Sequence, residues 1–212
     1  MNLSPSFVVI GSGLILGSTI DEIIKCGGNV KAIYLENTKD QKRFKNSFHV
    51  KNSQNINLDL NYLSENVDKN TWLISADSKK IISKEVLNIF NKQAINYHPG
   101  ILPIYSGLYC YQWAVHNNEK EFGSTIHFMI PEVDYGNIII EEKFNITNSD
   151  TGFSVYQKCL KAGIKAMRKT LSLIFESKNI SQKKQPSNTS HFYQRARPYN
   201  REIDWNRPAV EI

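Results

Sequence analysis

Cysteine is scarce in this chain: Cys26, Cys110 and Cys159 stand far apart among 212 residues and form no CxxC pair. The spacing supports neither a disulfide framework nor a zinc knuckle, and reduced thiols of a cytoplasmic protein are the simple expectation. The five histidines, His49, His98, His116, His127 and His191, show no HExxH-type spacing, so no metal-ligand motif is expected. Long hydrophobic runs are absent too. The apolar stretch from Phe7 to Leu16 is too short to cross a bilayer, and the first basic residue is Lys25, so the positive start of a secretory leader is missing. What remains is the composition of a soluble globular domain, 41% hydrophobic and 22% charged. The net charge of +6 tilts the surface toward anionic partners such as nucleotides, carboxylates, nucleic acid or anionic lipid. A merely Lys-rich, solvated surface explains it equally well.

The length suits one domain, expected over residues 1–178, followed by a polar linker and tail over 179–212 with any further C-terminal domain absent. In the first half, strand-like and helix-like segments alternate. "FVVIG", "VKAIYLE", "TWLIS" and "QAINYH" predict strands, while "LILGSTIDEIIK" and "SKEVLNIF" predict helices. On the first helix, Leu16, Ile20, Ile23 and Ile24 share the expected buried face. This alternation implies an α/β fold, a Rossmann-like, mostly parallel twisted sheet with helices on both faces. Residues 39–70, rich in Asn and Lys, predict only a helix near 39–46. "GLYCYQWAVHN" predicts a helix, and "GSTIHFMI" and "GNIIIEEKF" two more strands. A long helix follows from 152 to 175, with Tyr156, Leu160, Ile164, Met167, Leu171 and Ile174 inward and lysines outward. "ESKNISQKKQPSNTSH" has the composition of a loop.

"VVIGSGLILG" sits at the first strand–helix turn, and Glu36 ends the next strand, as in a dinucleotide-binding fingerprint. The spacing departs from that pattern: Leu16 stands where the third glycine belongs and Gly17 comes one residue late. A nicotinamide-dependent oxidoreductase is therefore the alternative of a different class. The physics that survives is that Gly11, Ser12 and Gly13 expose backbone N–H groups at a helix start, which favours a phosphate or carboxylate.

The segment "NYHPGILPIYSG" carries the chemistry. Asn96 and His98 end a predicted strand at the carboxyl edge of the sheet, where ligands of open α/β sheets bind. "PEVDYGNIII" adds Asp134 and Gly136 in the loop between the next two strands. With no Ser or Cys nucleophile, such a trio suits a substrate that brings its own nucleophile, such as an amine attacking an acyl donor. Asn96 can donate to the developing oxyanion, and a protonated His98 adds a charged donor and can protonate the leaving nitrogen. Asp134 would raise the His98 pKa and accept the proton lost by the amine. No metal is required.

"INYHPGILPIYSGL", "GSTIHFM" and "VDYGNIII", in that order, resemble the 10-formyltetrahydrofolate-dependent formyltransferases, and the likeness spans most of residues 5–205. The resemblance implies the formyltransferase fold, Asn96, His98 and Asp134 as the catalytic trio, and 10-formyltetrahydrofolate as co-substrate. It implies that the loop of Ser75, Asp77, Ile81 and Ile82, with Gly136, grips the pterin largely through backbone groups. It also implies that Gly11, Ser12 and Gly13 hold a substrate phosphate, and that Tyr105, Gly107 and Tyr109 line the acceptor pocket. His127 is as readily structural as functional, and Gly100 stands where many members have Ser. The expected acceptor is a nucleotide-linked amino sugar. The alternatives are methionyl-tRNA, glycinamide ribonucleotide and a 10-formyltetrahydrofolate deformylase. No membrane partner is expected, and an oligomer is compatible with the sequence.

Overall fold

The computed structural model describes residues 4–37, 39–44, 49–52, 55–177, 179–186, 191–193, 198 and 202–208. Its centre is a seven-stranded sheet in the order β3-β2-β1-β4-β5-β7-β8. Strands β1 (Ser6–Gly11), β2 (Asn29–Leu35), β3 (Val50–Asn52), β4 (Thr71–Ala76) and β5 (Ala94–His98) are parallel. The hairpin of β7 (Glu121–Phe128) and β8 (Ile138–Asn145) closes the edge antiparallel. Helices α1 (Gly13–Lys25) and α6 (Gly152–Phe175) cover one face. Helices α3 (Leu60–Asn66) and α4 (Lys84–Ile89) cover the other. Strand alternation sorts the two cores: Phe7 and Val9 pack with α1 and α6, Val8 and Ile10 with the opposite layer. The expected α/β architecture is present.

Three expectations need correction. Residues 39–70 hold more than one helix: α2 is described at Gln41–Phe44, and β3, a 3₁₀ turn (Ile56–Leu58) and α3 follow. Residues 45 and 46 of the expected helix lie outside the described residues, as do residues 209–212 at the chain's end. Strand β3 escaped notice because three edge residues carry no measurable period. Ile24 does not face the core: it is 49% exposed, and Ile23 fills that position in the last turn of α1.

Third, the buried stripe of α6 is centred on smaller residues than expected. Val155, Cys159, Gly163, Ala166 and Thr170 are buried, while Tyr156, Leu160 and Ile164 flank them half-buried. Tyr97 of β5 is the cause. Its ring lies so close to α6 that a Cβ on Gly163 would sit 2.1 Å from Tyr97 Cε2. The sheet can approach the helix only where the helix has no side chain. Thr151 caps α6 by accepting from the Ser154 N–H at 3.2 Å, and Ser154 answers through Thr151 N–H at 2.9 Å.

The site depends on the same alternation. Ile95 and Tyr97 point into the α1/α6 core, so Asn96 and His98 must face the other side. There Ala94 packs with α4, and the strand's last residues run past that helix. The loop after β5 folds back as β6 (Tyr105–Gly107) into α5 (Cys110–His116). Strand β6 pairs in parallel with β9 (His191–Tyr193), contributed by the polar tail.

Replacing Gly163 by Val should force Tyr97 out of its seat and lower stability by about 1–3 kcal/mol. Urea denaturation should show a lower midpoint with an unchanged slope, and an unchanged midpoint would mean that the helix and sheet are not tightly opposed there.

Candidate functional site

Asn96 and His98 are two residues apart on β5, and the antiparallel register sets Asn96 opposite His127 and His98 opposite Thr125 on β7. The loop from β7 to β8 then brings back Asp134. Its carboxylate is 8% exposed and lies between two imidazoles: Oδ2 is 3.6 Å from His98 Nδ1 and Oδ1 is 3.5 Å from His127 Nε2. The Gly107 N–H donates to Oδ2 at 2.8 Å. Asp134 adopts φ +61°, a left-handed conformation that turns the loop inward.

Proton positions follow from the partners. His98 Nε2 is 2.6 Å from the Tyr105 carbonyl oxygen, which can only accept, so Nε2 carries a proton and Nδ1 faces Asp134. His127 Nδ1 lies 2.8 Å from the Phe128 carbonyl and is protonated for the same reason. Its Nε2 is 3.1 Å from Asn96 Nδ2 and accepts from that amide when the ring is neutral. When the ring is charged, Nε2 turns its proton toward Asp134. His127 therefore links Asn96 to the buried carboxylate.

Burial taken alone would raise the Asp134 pKa. The positive charge on His98 and His127, the His127 hydrogen bond and the Gly107 N–H outweigh it and hold the carboxyl well below the usual carboxylate range. Cys110 lies 3.8 Å from His98 Nε2, and burial, reinforced by the Asp134 charge, pushes its thiol far up, so it stays protonated and is no nucleophile. Of the trio, Asn96 is half-buried, whereas His98 and Asp134 are buried.

The other expected residues fall into three groups. Ser75 ends up buried on β4, and Ile82 joins the core against α4, while Ile81 is 67% exposed on the loop between them. Asp77, at φ +60°, accepts from the Tyr156 hydroxyl at 2.8 Å; burial raises its pKa, helped by the nearby Glu36 charge and opposed by Tyr156 and Lys79. Gly136 passes so close to β7 that an added Cβ would lie 1.8 Å from the Phe128 carbonyl oxygen.

At the first turn, Gly11 lies against β4, where a Cβ would meet the Ala76 carbonyl oxygen at 1.9 Å. Ser12 Oγ donates to the Asp77 carbonyl at 3.3 Å. The Gly13 N–H donates to the chain's own Asp40 carboxylate at 2.9 Å. Glu36, the ribose-binding acid of the dinucleotide alternative, instead accepts from the Ser78 hydroxyl and from the Lys79 N–H at 3.0 Å. It pins the loop after β4.

In the third group, Tyr105 turns its ring into a small aromatic core, stacked on Tyr193, and its hydroxyl donates to Glu119 at 2.6 Å. Only its carbonyl serves the site. Gly107 contributes its N–H to Asp134, and Tyr109 sits at φ +58° as the residue before α5. Among the described residues no group of three or more His, Cys, Asp or Glu side chains is placed to hold a metal ion, and no helix is long and apolar enough to cross a membrane.

Two contributors carried no decisive sequence signal. The sequence leaves both readings of His127 open, and its contacts with Asn96 and Asp134 show only once β5 and β7 are aligned. Gln185, in a stretch with the composition of a loop, is buried and donates through Nε2 to the carbonyls of Asp134 (2.8 Å) and Gly136 (2.6 Å).

A carboxylate whose folded pKa is depressed below its unfolded value of about 3.9 adds stability above that pH and loses it as pH falls through the folded value. Wild type should therefore exceed Asp134→Asn in urea-melt stability near neutrality, with the difference shrinking as pH falls below about 4. A difference that grows on acidification would mean that burial, and not the imidazoles, governs this carboxyl.

A family model described as formyl transferase matches residues 6–171. The bifunctional polymyxin resistance protein ArnA of Wigglesworthia glossinidia brevipalpis is 32% identical over 165 residues, covering 78% of this chain and 25% of ArnA. The chain thus spans about a quarter of the length of that curated relative. The fold matches an N-formyltransferase from Helicobacter canadensis solved with folinic acid and dTDP-3-aminofucose. That match has a TM-score of 0.77 at 21% identity, over 98% of this chain and 77% of that one. A phosphoribosylglycinamide formyltransferase from Anaplasma phagocytophilum matches with a TM-score of 0.69 at 21% identity, over 90% of this chain and 97% of that one.

Proposed function

The chain belongs to the formyl transferase family, and from that premise we propose that it moves a formyl group from 10-formyltetrahydrofolate to the primary amine of a nucleotide-linked amino sugar. The observation that carries the reading is the convergence of Asn96, His98 and Asp134 in a site without a Ser or Cys nucleophile; the nearest thiol, Cys110, stays protonated. Such a site acts on a nucleophile that the substrate provides.

In this reading the acceptor amine attacks the formyl carbon, and the carbonyl oxygen becomes an oxyanion. Asn96, the accessible member of the trio, donates its amide N–H there, a contribution of about 10²–10³ in rate for one such donor. His98, with Nε2 already protonated and Nδ1 facing Asp134, places positive charge beside the same carbon and supplies the proton that the leaving nitrogen needs. Asp134, kept ionised by its surroundings, is the counter-charge that holds the His98 ring in place, and the proton lost by the amine leaves through water at the open side of the site.

The pteridine is assigned to the loop of Ser75, Asp77, Ile81 and Ile82 together with Gly136. The exposed Ile81 side chain offers it an apolar contact, and Glu36 keeps the loop in place. The acceptor is assigned to Gly11, Ser12 and Gly13, where a phosphate would displace Asp40, and to the segment of Tyr105, Gly107 and Tyr109. The sugar acceptor draws support from the named ligand of the Helicobacter canadensis enzyme.

A spectroscopic assay of tetrahydrofolate release, run with a panel of nucleotide-linked amino sugars, glycinamide ribonucleotide and initiator methionyl-tRNA, tests this. Release with an amino sugar alone is expected. Asn96→Ala, His98→Ala and Asp134→Ala should each lower turnover by about 10² or more. Release with tRNA or the ribonucleotide alone would reassign the acceptor, and near-normal turnover in two of the three variants would remove the mechanism.

A further inference from the structure

The polar tail lies beyond the residues matched by the family model, yet it reaches the catalytic loop from two directions. From one side, Gln185 Nε2 donates to the carbonyls of Asp134 and Gly136, at 2.8 and 2.6 Å, in a buried setting. Lys183 supports this contact by exchanging backbone hydrogen bonds with Ile138, at 2.9 and 2.8 Å, where the loop enters β8. From the other side, β9 pairs with β6 and sets Tyr193 beside Gly107. The Tyr193 carbonyl accepts from the Leu108 N–H at 2.8 Å and lies where a Cβ on Gly107 would be only 2.2 Å away. Tyr193 is itself wedged between Tyr105 and Trp113, with ring centroids at 5.3 and 5.1 Å. Gly107 is the residue whose N–H holds Asp134 Oδ2.

Both arms of the tail therefore end on Asp134, one through its backbone and one through its side-chain partner. Asp134 needs such restraint. Its left-handed backbone, on a residue with a Cβ, is uncommon and persists only where the surroundings impose it. The Gln185 amide supplies two N–H donors, and two carbonyl oxygens, one from Asp134 and one from Gly136, lie within reach of the same nitrogen. This bridge fixes the turn that aims the carboxylate inward.

We propose that Gln185 is a positioning residue for the formyl transfer, clamping the Asp134–Gly136 turn so that Asp134 stays aligned with His98 and His127, and that the β9–β6 pairing completes the clamp by placing the Gly107 N–H. The inference rests on the proposed reaction for its kinetic readout but not for its structural one. Gln185 touches no reacting atom, and neither the loop from Ser75 to Ile82 nor the turn from Gly11 to Gly13 depends on it, so its loss acts more on the chemical step than on binding.

The test compares wild type with Gln185→Met, which keeps the length and removes both donors, and with Gln185→Glu, which keeps the shape but turns a carboxylate toward two carbonyls. Gln182→Met is the control. Gln182 is an exposed neighbour in the tail whose Oε1 accepts from the Asn137 side chain at 3.0 Å, outside the Asp134–Gly136 turn. Expected in both Gln185 variants is a fall in kcat of about tenfold or more, since a small misplacement of a reacting group is costly. KM for donor and acceptor should rise by a smaller factor than kcat falls, and Gln182→Met should match wild type.

Hydrogen exchange gives the second readout: the Gly107 amide should lose protection in Gln185→Met while amides of β1 and β4 keep theirs. An unchanged kcat in either folded Gln185 variant overturns the proposal, as does unchanged Gly107 exchange in Gln185→Met. Wild type that turns over no formyl donor with any acceptor counts against the proposed function, and the exchange comparison then decides the clamp by itself.

Discussion

A single buried anion organises this molecule's chemistry. Asp134 sits almost out of water, and its charge persists because His98, His127 and the Gly107 N–H surround it. Each partner comes from a different part of the chain: the last strand of the parallel run, the antiparallel strand beside it and the loop that follows β5. If the carboxylate were neutral, His98 would lose the counter-charge opposite Nδ1 and His127 its reason to face the loop. The carboxylate keeps a charge that it would not keep if buried without these partners.

The fold makes that convergence cheap in conformational terms. Alternation on β5 sends Ile95 and Tyr97 into one core and leaves Asn96 and His98 facing the other side. The register of β5 with β7 runs unbroken from Ile95 to His98 and places His127 opposite Asn96, while on the other side of β7 the ladder to β8 shifts between Ile126 and His127. Helix α6 anchors the arrangement from behind, since Tyr97 fits only because Gly163 and its small neighbours leave room. The irregular part, the turn at Asp134, is held by the tail through Gln185. Rigid elements thus place the Asn and His, and a clamped loop places the Asp. The comparison with the formyl transferase family fits this division, since the family match ends in α6, before the tail begins its work.

Much of this was legible in the sequence where periodicity was strong. The parallel strands, the first helix and α6 announce themselves through β-branched runs and helical spacing, and "NYH" followed by "VDYG" points to the trio before any geometry is known. Legibility failed where local signal is weak or where the contact is non-local. Strand β3 is three residues long, and helical spacing alone does not separate Ile24 from Ile23 until the helix end is placed. The Tyr105 ring, an expected pocket wall, is claimed by Phe122 and Tyr193, and the second of these lies 88 residues away in the tail. Gln185 is a polar residue in a polar stretch, so nothing in composition separates it from Gln182. Only the fold shows that one reaches the carbonyls of Asp134 and Gly136 while the other stays at the surface.

The most direct test of this account is the titration of the Asp134 side-chain carboxyl, followed by its carbon-13 NMR shift in protein labelled at aspartate and assigned with Asp134→Asn. The account predicts that this carboxyl remains ionised well below the usual carboxylate range, after other aspartates have begun to protonate. Protonation at or above the ordinary value of about 3.9 would show that burial prevails over the two histidines, and the site would then lack the anion around which it is arranged.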